Sequence, residues 1–316
     1  VFLEEDRQIG YDKLILATGS RVRKIQAEGS DLEGIHYLRN IADVDNIRHE
    51  MAAGRNVVIV GAGYIGLEVA AVCCQHGLNV TVIEQADRVM SRVVSPNVSD
   101  YYQLQHTKHG VRLLLSTGLA SFKGRKRVKQ VITDDGQALP ADFVVIGVGI
   151  VPNTELAEAA ALDVDDGILV DDTCQTSDPN IYAIGDCTRH PNEIYERNLR
   201  LESVHNALEQ AKTAASNACG EEMHYCQVPW FWSDQFELKL QIAGLSEGYD
   251  EVVLRGQPSG GSFACFYLKD GVLIAVDAVN SPREFMQAKP LIADKARLDP
   301  ALLQDAEVSL KDLARP

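Results

Sequence analysis

"NVVIVGAGYIG", residues 56–66, decides the fold of this chain. A short apolar run rich in β-branched residues ends in glycine, the pattern of a parallel strand buried on both faces. Gly61, Gly63 and Gly66 follow, and Tyr64–His76 then carries apolar residues at helical spacing. Next comes "LNVTVIE", residues 78–84, a second β-branched strand that ends on an acid. Strand, glycine turn, helix, strand and acid form the context that turns GxGxxG into a dinucleotide signal. Gly61 permits the tight turn, Gly63 lets the backbone approach a pyrophosphate, and Gly66 lets the helix pack closely on the strand. The helix N-terminus presents N–H groups and a positive dipole end to the phosphates. Glu84 suits a ribose 2′-hydroxyl and repels a 2′-phosphate. Gln85, Ala86 and Asp87 supply no cation before Arg88, so NADH is expected over NADPH.

The rest of the composition narrows the class. At 316 residues the chain has room for two or three domains. A formal net charge of −15 argues against nucleic acid as the main partner, because phosphate binding needs a basic surface. No apolar run is long enough to span a membrane, so no membrane partner is expected. Seven cysteines occur without CxxC or zinc spacing, which predicts reduced, mostly packed thiols in a cytoplasmic protein and no metal site. The basic run Lys123–Lys129 sits between strands and reads as a solvated hairpin tip.

An internal echo extends the plan. "YDKLILATGS" (11–20) and "ADFVVIGVGI" (141–150) share an Asp, an apolar strand and a glycine near the strand end. The second copy closes the nucleotide unit opened at Gly61. A first copy closing an equivalent unit would need a glycine turn upstream of Val1, so about 70–100 residues of a first nucleotide domain are expected to precede this sequence.

With these stretches in place, the chain resembles the FAD-dependent NADH:ferredoxin reductases of the putidaredoxin and rhodocoxin reductase type. The marks are "YDKLILATGS", "HYLRNIADV", "VVIVGAGYIGLEVA", "GVGIVPNTELA", "TSDPNIYAIGDC", "RLESVHNALEQAK" and "PWFWSDQFELKLQIAGLSEGYD". Several are shared by all two-dinucleotide flavoproteins; the last two are closer to the ferredoxin reductase branch. The family's N-terminal FAD unit, with its own GxGxxG and an early lysine near the flavin, is not in the sequence. The resemblance implies an α/β fold of two Rossmann-like nucleotide-binding domains, the FAD one incomplete and discontinuous, plus an α+β C-terminal domain. The expected division is 1–36 with 153–222 for FAD, 37–152 for NAD, and 223–316 for the C-terminal domain. The last is rich in short strands such as "EVVLRG", "SFACFYL" and "GVLIAVDAV".

The same resemblance assigns residues. Asp186, after Gly185 at the end of "NIYAIGDC", would bind the ribityl chain of FAD, with Thr18, Gly19 and Arg39 as further FAD contacts. The helix starting at Val204, with Ser203 as a plausible cap, would aim its N-terminus at the flavin N1–C2=O edge. His205 reads as a first-turn residue rather than an acid or base. Glu68 would pair with the absent lysine and contact the nicotinamide carboxamide. Ile65 and Gly149 complete the NAD set, Gly149 by giving the dinucleotide room to pass. Trp232 would lie beside the isoalloxazine, shielding it and shaping the electron exit. The implied activity is hydride transfer from NADH to FAD, then single-electron delivery to a [2Fe–2S] ferredoxin, or a rubredoxin-like acceptor, serving a P450 or ring dioxygenase. Ferredoxins are usually acidic, as this chain is, so docking must use local cations; Lys212, Lys289 and Lys311 are candidates. Two alternatives stay open on sequence alone: a NADH oxidase or disulfide reductase, and a non-enzymatic NAD-sensing flavoprotein of the apoptosis-inducing-factor kind.

Overall fold

Five parallel strands run side by side in the order Ile35–Tyr37, Phe143–Ile146, Asn56–Val60, Asn79–Ile83 and Arg112–Leu114. These elements come from a computed structural model that describes residues 1–3 and 7–313. The end residues of the first and last expected domains, at 4–6 and 314–316, lie outside the described residues. In the strand Asn56–Val60, Val57 and Ile59 face one core cluster while Val58 and Val60 face another. That two-residue alternation, apolar on both sides, is why the stretch is continuously hydrophobic. The helix Tyr64–Gln75 covers one face with Leu67, Ala70, Ala71 and Cys73. An antiparallel trio, Leu119–Gly124, Val128–Thr133 and Ala138–Pro140, covers the other with Phe122, Val131 and Leu139.

The hairpin expected at Lys123–Lys129 forms with Lys123, Arg125, Lys126 and Lys129 exposed, and three of its cations also find acids. Lys123 pairs with Glu28 at 2.7 Å and Lys126 with Glu33 at 3.3 Å. Arg127 turns inward to Glu50, which also takes Arg55 at 2.8 Å. Burial pushes the Glu50 carboxyl up, but hydrogen bonds from both arginines outweigh it and hold the group below its ordinary range. The acids that neutralise the basic run are far from it in sequence, so spacing could not reveal them.

The C-terminal strands follow in the order Trp230–Gln235, Leu238–Gly244, Val272–Val279, Ser262–Lys269 and Glu251–Gln257. The last four are joined by antiparallel pairing. This sheet shares a core with the parallel sheet rather than burying its face alone. Tyr101 of the helix Pro96–Lys108 packs edge-on against Phe263 with ring centroids 4.9 Å apart, and Tyr102, Tyr267 and Leu240 are buried in the same cluster. The packing therefore gathers Val22–Ile150 with the chain from Trp232 onward into one unit, and Val1–Arg21 with Val151–Phe231 into another. The division expected at 36/37 falls inside the strand Ile35–Tyr37, whose hydrogen bonds go to Phe143–Ile146. In the second unit, Leu14–Leu16 pairs in parallel with Ile181–Ala183, and the helix Val204–Ala218 follows a short sheet of Ile168–Leu169, Thr188–Asn192 and Arg197–Leu199.

One acid lies within the shared core. Asp277 is fully buried between the sheets and accepts the Tyr267 hydroxyl; the Tyr267 oxygen in turn accepts the amide of Ser95, the cap residue of Pro96–Lys108, at 2.9 Å. Burial raises the Asp277 carboxyl to about 7. The folded state thus keeps a proton that the unfolded chain releases near pH 4, so stability tied to neutral Asp277 is lost as pH rises through about 7. Asp277→Asn should gain thermal midpoint over the parent as pH rises from about 5 to 8. Scans across that range check it, and a difference that stays flat with pH would contradict it.

Candidate active site

The glycine turn is set by backbone contact. A Cβ on Gly66 would lie 2.1 Å from the Gly61 carbonyl oxygen, and one on Gly61 would lie 2.4 Å from the Gly147 oxygen. Any side chain at either position would push the helix off the sheet. Gly63 is different: a Cβ there would meet nothing within 4 Å, and as the cap residue of Tyr64–Gln75 it offers no side-chain bond to the first-turn amides. Open space and helix N-terminal donors together fit a pyrophosphate. Ile65 is exposed on that first turn, and the Cα of Gly149 also faces open space.

Glu84 carries a second job that the sequence pattern does not show. One carboxylate oxygen accepts the Ala62 amide at 2.7 Å and the other accepts the Ala86 amide at 2.9 Å. The acid therefore braces the glycine turn and the segment after its own strand. A carboxylate has about four acceptor positions, so two remain for ribose hydroxyls. Arg88, the first cation beyond Glu84, is committed elsewhere: its guanidinium donates to the carbonyls of Ser91 and Val94 and to the Ser99 hydroxyl, at 2.6 to 2.9 Å.

Glu68 sits one turn further along the helix, half-buried. Burial raises its carboxyl, with the nearby Asp234 charge adding to the effect and the Ser233 hydrogen bond opposing it. The Ser233 hydroxyl donates to Glu68 at 2.5 Å, Gln235 Nε2 lies 3.1 Å from Ser233 Oγ, and Gln235 Oε1 lies 2.9 Å from His106 Nε2. Burial lowers His106, so the imidazole is neutral, and its Nε2 must carry the proton to meet a carbonyl oxygen. Ser233 and Gln235 are on the buried side of the strand Trp230–Gln235, while Trp232 is 40% exposed on the opposite side. The "FWSDQ" stretch thus presents a tryptophan outward and a hydrogen-bond chain inward. Sequence reading found the tryptophan and missed the chain, because Glu68 is 165 positions from Ser233.

The flavin candidates Thr18, Gly19, Gly185, Asp186 and Val204 all fall in the unit of Val1–Arg21 and Val151–Phe231. Leu14–Leu16 and Ile181–Ala183 are parallel neighbours, so Thr18 and Asp186 leave the sheet at the same carboxyl end, where α/β sheets take ligands. Thr18 Oγ1 donates to the Asn153 carbonyl at 2.6 Å, and Asn153 Nδ2 returns a bond to the Thr18 carbonyl at 2.8 Å. Ser20 donates to Asp186 Oδ2 at 2.8 Å, orienting the acid. Ser203 caps Val204–Ala218 by accepting the Asn206 amide, and Val204 is 56% exposed at its first position. His205 packs its ring against Trp230, centroids 5.3 Å apart, as expected of a first-turn packing residue. Two strand ends and a helix N-terminus are the donor and acceptor set that a ribityl chain and an anionic ring edge require, so the residues fit FAD.

Arg39 and Trp232 belong to the other unit. Arg39 is exposed and precedes a capping box in which its own amide and that of Asn40 donate to Asp43. Of the docking candidates, Lys212 is exposed and paired with Glu209 at 2.6 Å, Lys289 lies over the Phe285 ring, and Lys311 is exposed on Leu310–Leu313. Among the described residues no group of three or more His, Cys, Asp or Glu side chains could hold a metal.

Comparison with known proteins gives these elements a common origin. Residues 1–211 match the family described as pyridine nucleotide-disulphide oxidoreductase, and 230–314 match its reductase C-terminal domain. Putidaredoxin reductase of Pseudomonas putida is 43% identical over 99% of this chain and 76% of its own length. Rhodocoxin reductase of Rhodococcus erythropolis is 44% identical over 96% of this chain and 71% of its own length. This chain belongs to the ferredoxin reductase family of FAD flavoproteins. A crystal structure of the covalent putidaredoxin reductase–putidaredoxin complex superposes with a TM-score of 0.95 at 42% identity, covering 99% of this chain and 76% of that one. The α/β architecture and the flavin and pyridine-nucleotide cofactors follow from membership.

Glu84 gives the site its clearest test. Removing it should weaken NADH by losing the ribose acceptor and should also loosen the turn, since the amides of buried Ala62 and half-buried Ala86 lose a charged acceptor. Glu84→Ala is expected to raise KM for NADH about tenfold or more and to destabilise the fold by about 2 kcal/mol. NADPH should gain little, because Arg88 is already bound. Steady-state kinetics with both nucleotides and a denaturant titration check the pair of effects; an Ala variant that prefers NADPH would refute the assignment.

Proposed function

We propose that this reductase draws electrons from NADH and delivers them singly to a small [2Fe–2S] ferredoxin that supplies a cytochrome P450 or ring dioxygenase in the cytoplasm. The observation that carries the reading is Glu84: a carboxylate fixed at the glycine turn, with Arg88, the first cation after it in sequence, already bound, favours the unphosphorylated nucleotide. FAD, when bound, supplies the conversion of a two-electron hydride into single electrons. The protein's own residues bind and orient. The first-turn amides after Gly63 take the pyrophosphate, and Glu68, held by Ser233, receives the nicotinamide carboxamide. Asp186, held by Ser20, takes the ribityl hydroxyls, and the amides at Val204 favour negative charge at the ring edge facing them. No acid–base residue is required, which leaves His205 to packing.

Three of the thiols present are poorly suited to a dithiol mechanism. Cys73, Cys174 and Cys265 are buried and pushed up to about 12, and all seven cysteines are free. A buried thiol of that acidity does not attack a disulfide near neutral pH.

Lys212 leads the docking candidates because it is exposed on the helix that starts at Val204, eight residues or about 12 Å along its axis. Its pairing with Glu209 is a surface contact of little energy and yields readily to a partner's carboxylate. In the holoenzyme, Lys212→Glu should slow ferredoxin reduction several-fold at low salt and leave NADH-dependent ferricyanide reduction unchanged. Stopped-flow traces with both acceptors decide it: equal loss with both means damaged flavin chemistry, and no loss with ferredoxin removes Lys212 from the interface. If NADH fails to reduce the flavin in the parent protein, the functional proposal itself falls.

A further inference from the structure

The turn that carries Asp186 and the helix Val204–Ala218 are held together by one buried side chain, Gln210, which exposes no surface to solvent. Its Oε1 accepts the Gly185 amide at 2.7 Å and the Asn206 carboxamide at 3.3 Å, and lies 2.9 Å from the Thr188 hydroxyl. That hydroxyl, which caps the Gly185–Cys187 turn, is also 2.9 Å from the Gly185 carbonyl, so its one proton serves either acceptor, and the grip on Gly185 from the helix side is the Gln210 bond to its amide. With donors converging on Oε1, Nε2 is left to face His190 Nδ1 at 3.1 Å. Burial lowers His190 to about 4, so its ring is neutral and Nδ1 can accept. Asn206 is anchored in turn by the Tyr225 hydroxyl at 2.8 Å and by donation to the Leu201 carbonyl at 3.2 Å. His190 and Tyr225 stack edge to face, 5.0 Å apart, closing the cluster.

Gln210 is not itself a flavin candidate, yet it connects two elements that are, on the reading above. A leucine would fill similar volume but leave the Gly185 amide buried without an acceptor, which only movement of the turn or entry of water could relieve. We infer that Gln210 is a positioning residue for the flavin: through Gly185 it registers the Asp186 turn against the N-terminus of Val204–Ala218. The Asp186 carboxylate and the amides at Val204 then hold a fixed spacing. The inference rests on the flavin roles assigned to Asp186 and Val204.

Loss of that register has two consequences beyond rate. Asp186 binds the ribityl chain less well, and the helix N-terminus no longer favours charge on the reduced ring to the same degree. In the holoenzyme, Gln210→Leu should weaken FAD binding about tenfold and lower the flavin midpoint potential by about 30 mV, the two-electron equivalent of a tenfold loss of preference for the reduced form. Gln210→Glu should restore both to within about threefold, because a buried carboxylic acid that keeps its proton donates to His190 and accepts from Gly185 as the amide does. FAD titration of the deflavinated protein and spectroelectrochemistry read the two quantities. If Gln210→Leu does not fold, Thr188→Val, which removes the hydroxyl shared between Oε1 and the Gly185 carbonyl, should shift both in the same direction by about threefold. A leucine or valine variant matching the parent in both quantities overturns the inference, as does a glutamate variant no better than leucine. A parent protein that takes up no FAD removes the flavin reading as well, and so is told apart from failure of Gln210 alone.

Discussion

The closeness of three backbone segments at Gly61, Gly66 and Gly147 constrains this molecule more than any side-chain contact. With no Cβ on Gly61 or Gly66, the helix Tyr64–Gln75 sits directly on the turn that precedes it, its first amides exposed beyond the sheet. Everything that binds the dinucleotide is referenced to that position. Glu84 then spends two acceptor sites holding the Ala62 and Ala86 amides, so this acid and the glycine turn are tied together. On the proposed reading, bracing and nucleotide choice would be two uses of one carboxylate.

Buried polar groups show the same economy with different outcomes. The amide of Gln210 finds partners on both of its ends, and such a network stiffens the element it joins. Asp277 has one oxygen engaged by Tyr267 and the other, Oδ1, buried without a hydrogen-bond partner, and the result is a carboxyl that prefers its proton. Glu50, by contrast, is flanked by two guanidinium groups and stays ionised despite burial. The direction of each shift follows from whether burial or a partner dominates.

Net charge and local charge separate in this protein as well. An overall charge of −15 opposes an acidic partner at long range. Three cations of the basic run that might have attracted one, Lys123, Lys126 and Arg127, are paired with Glu28, Glu33 and Glu50. On the proposed reading, recognition of an acidic ferredoxin rests on lysines such as Lys212, weakly paired on the helix Val204–Ala218, and depends strongly on ionic strength.

Local pattern made the dinucleotide unit readable from sequence, because Asn56–Val60, the three glycines, Tyr64–Gln75 and the strand ending before Glu84 are contiguous and each obeys a short-range rule of periodicity or sterics. The alternating strands of the C-terminal sheet and the cap at Ser203 were legible for the same reason. What sequence could not supply was every relation that joins distant residues. The shared tyrosine core, the chain from His106 to Glu68, the bond from Ser20 to Asp186 and the grip of Gln210 on Gly185 each pair positions between 25 and 172 apart. Such pairs leave no periodic trace: a buried glutamine in a helix looks like any surface glutamine until the fold shows what it faces. The sequence by itself determined which nucleotide turn the chain makes and which acid follows it; only the tertiary structure decided which buried amides, hydroxyls and carboxyls hold those elements in register, because burial and partnership are properties of the packed chain.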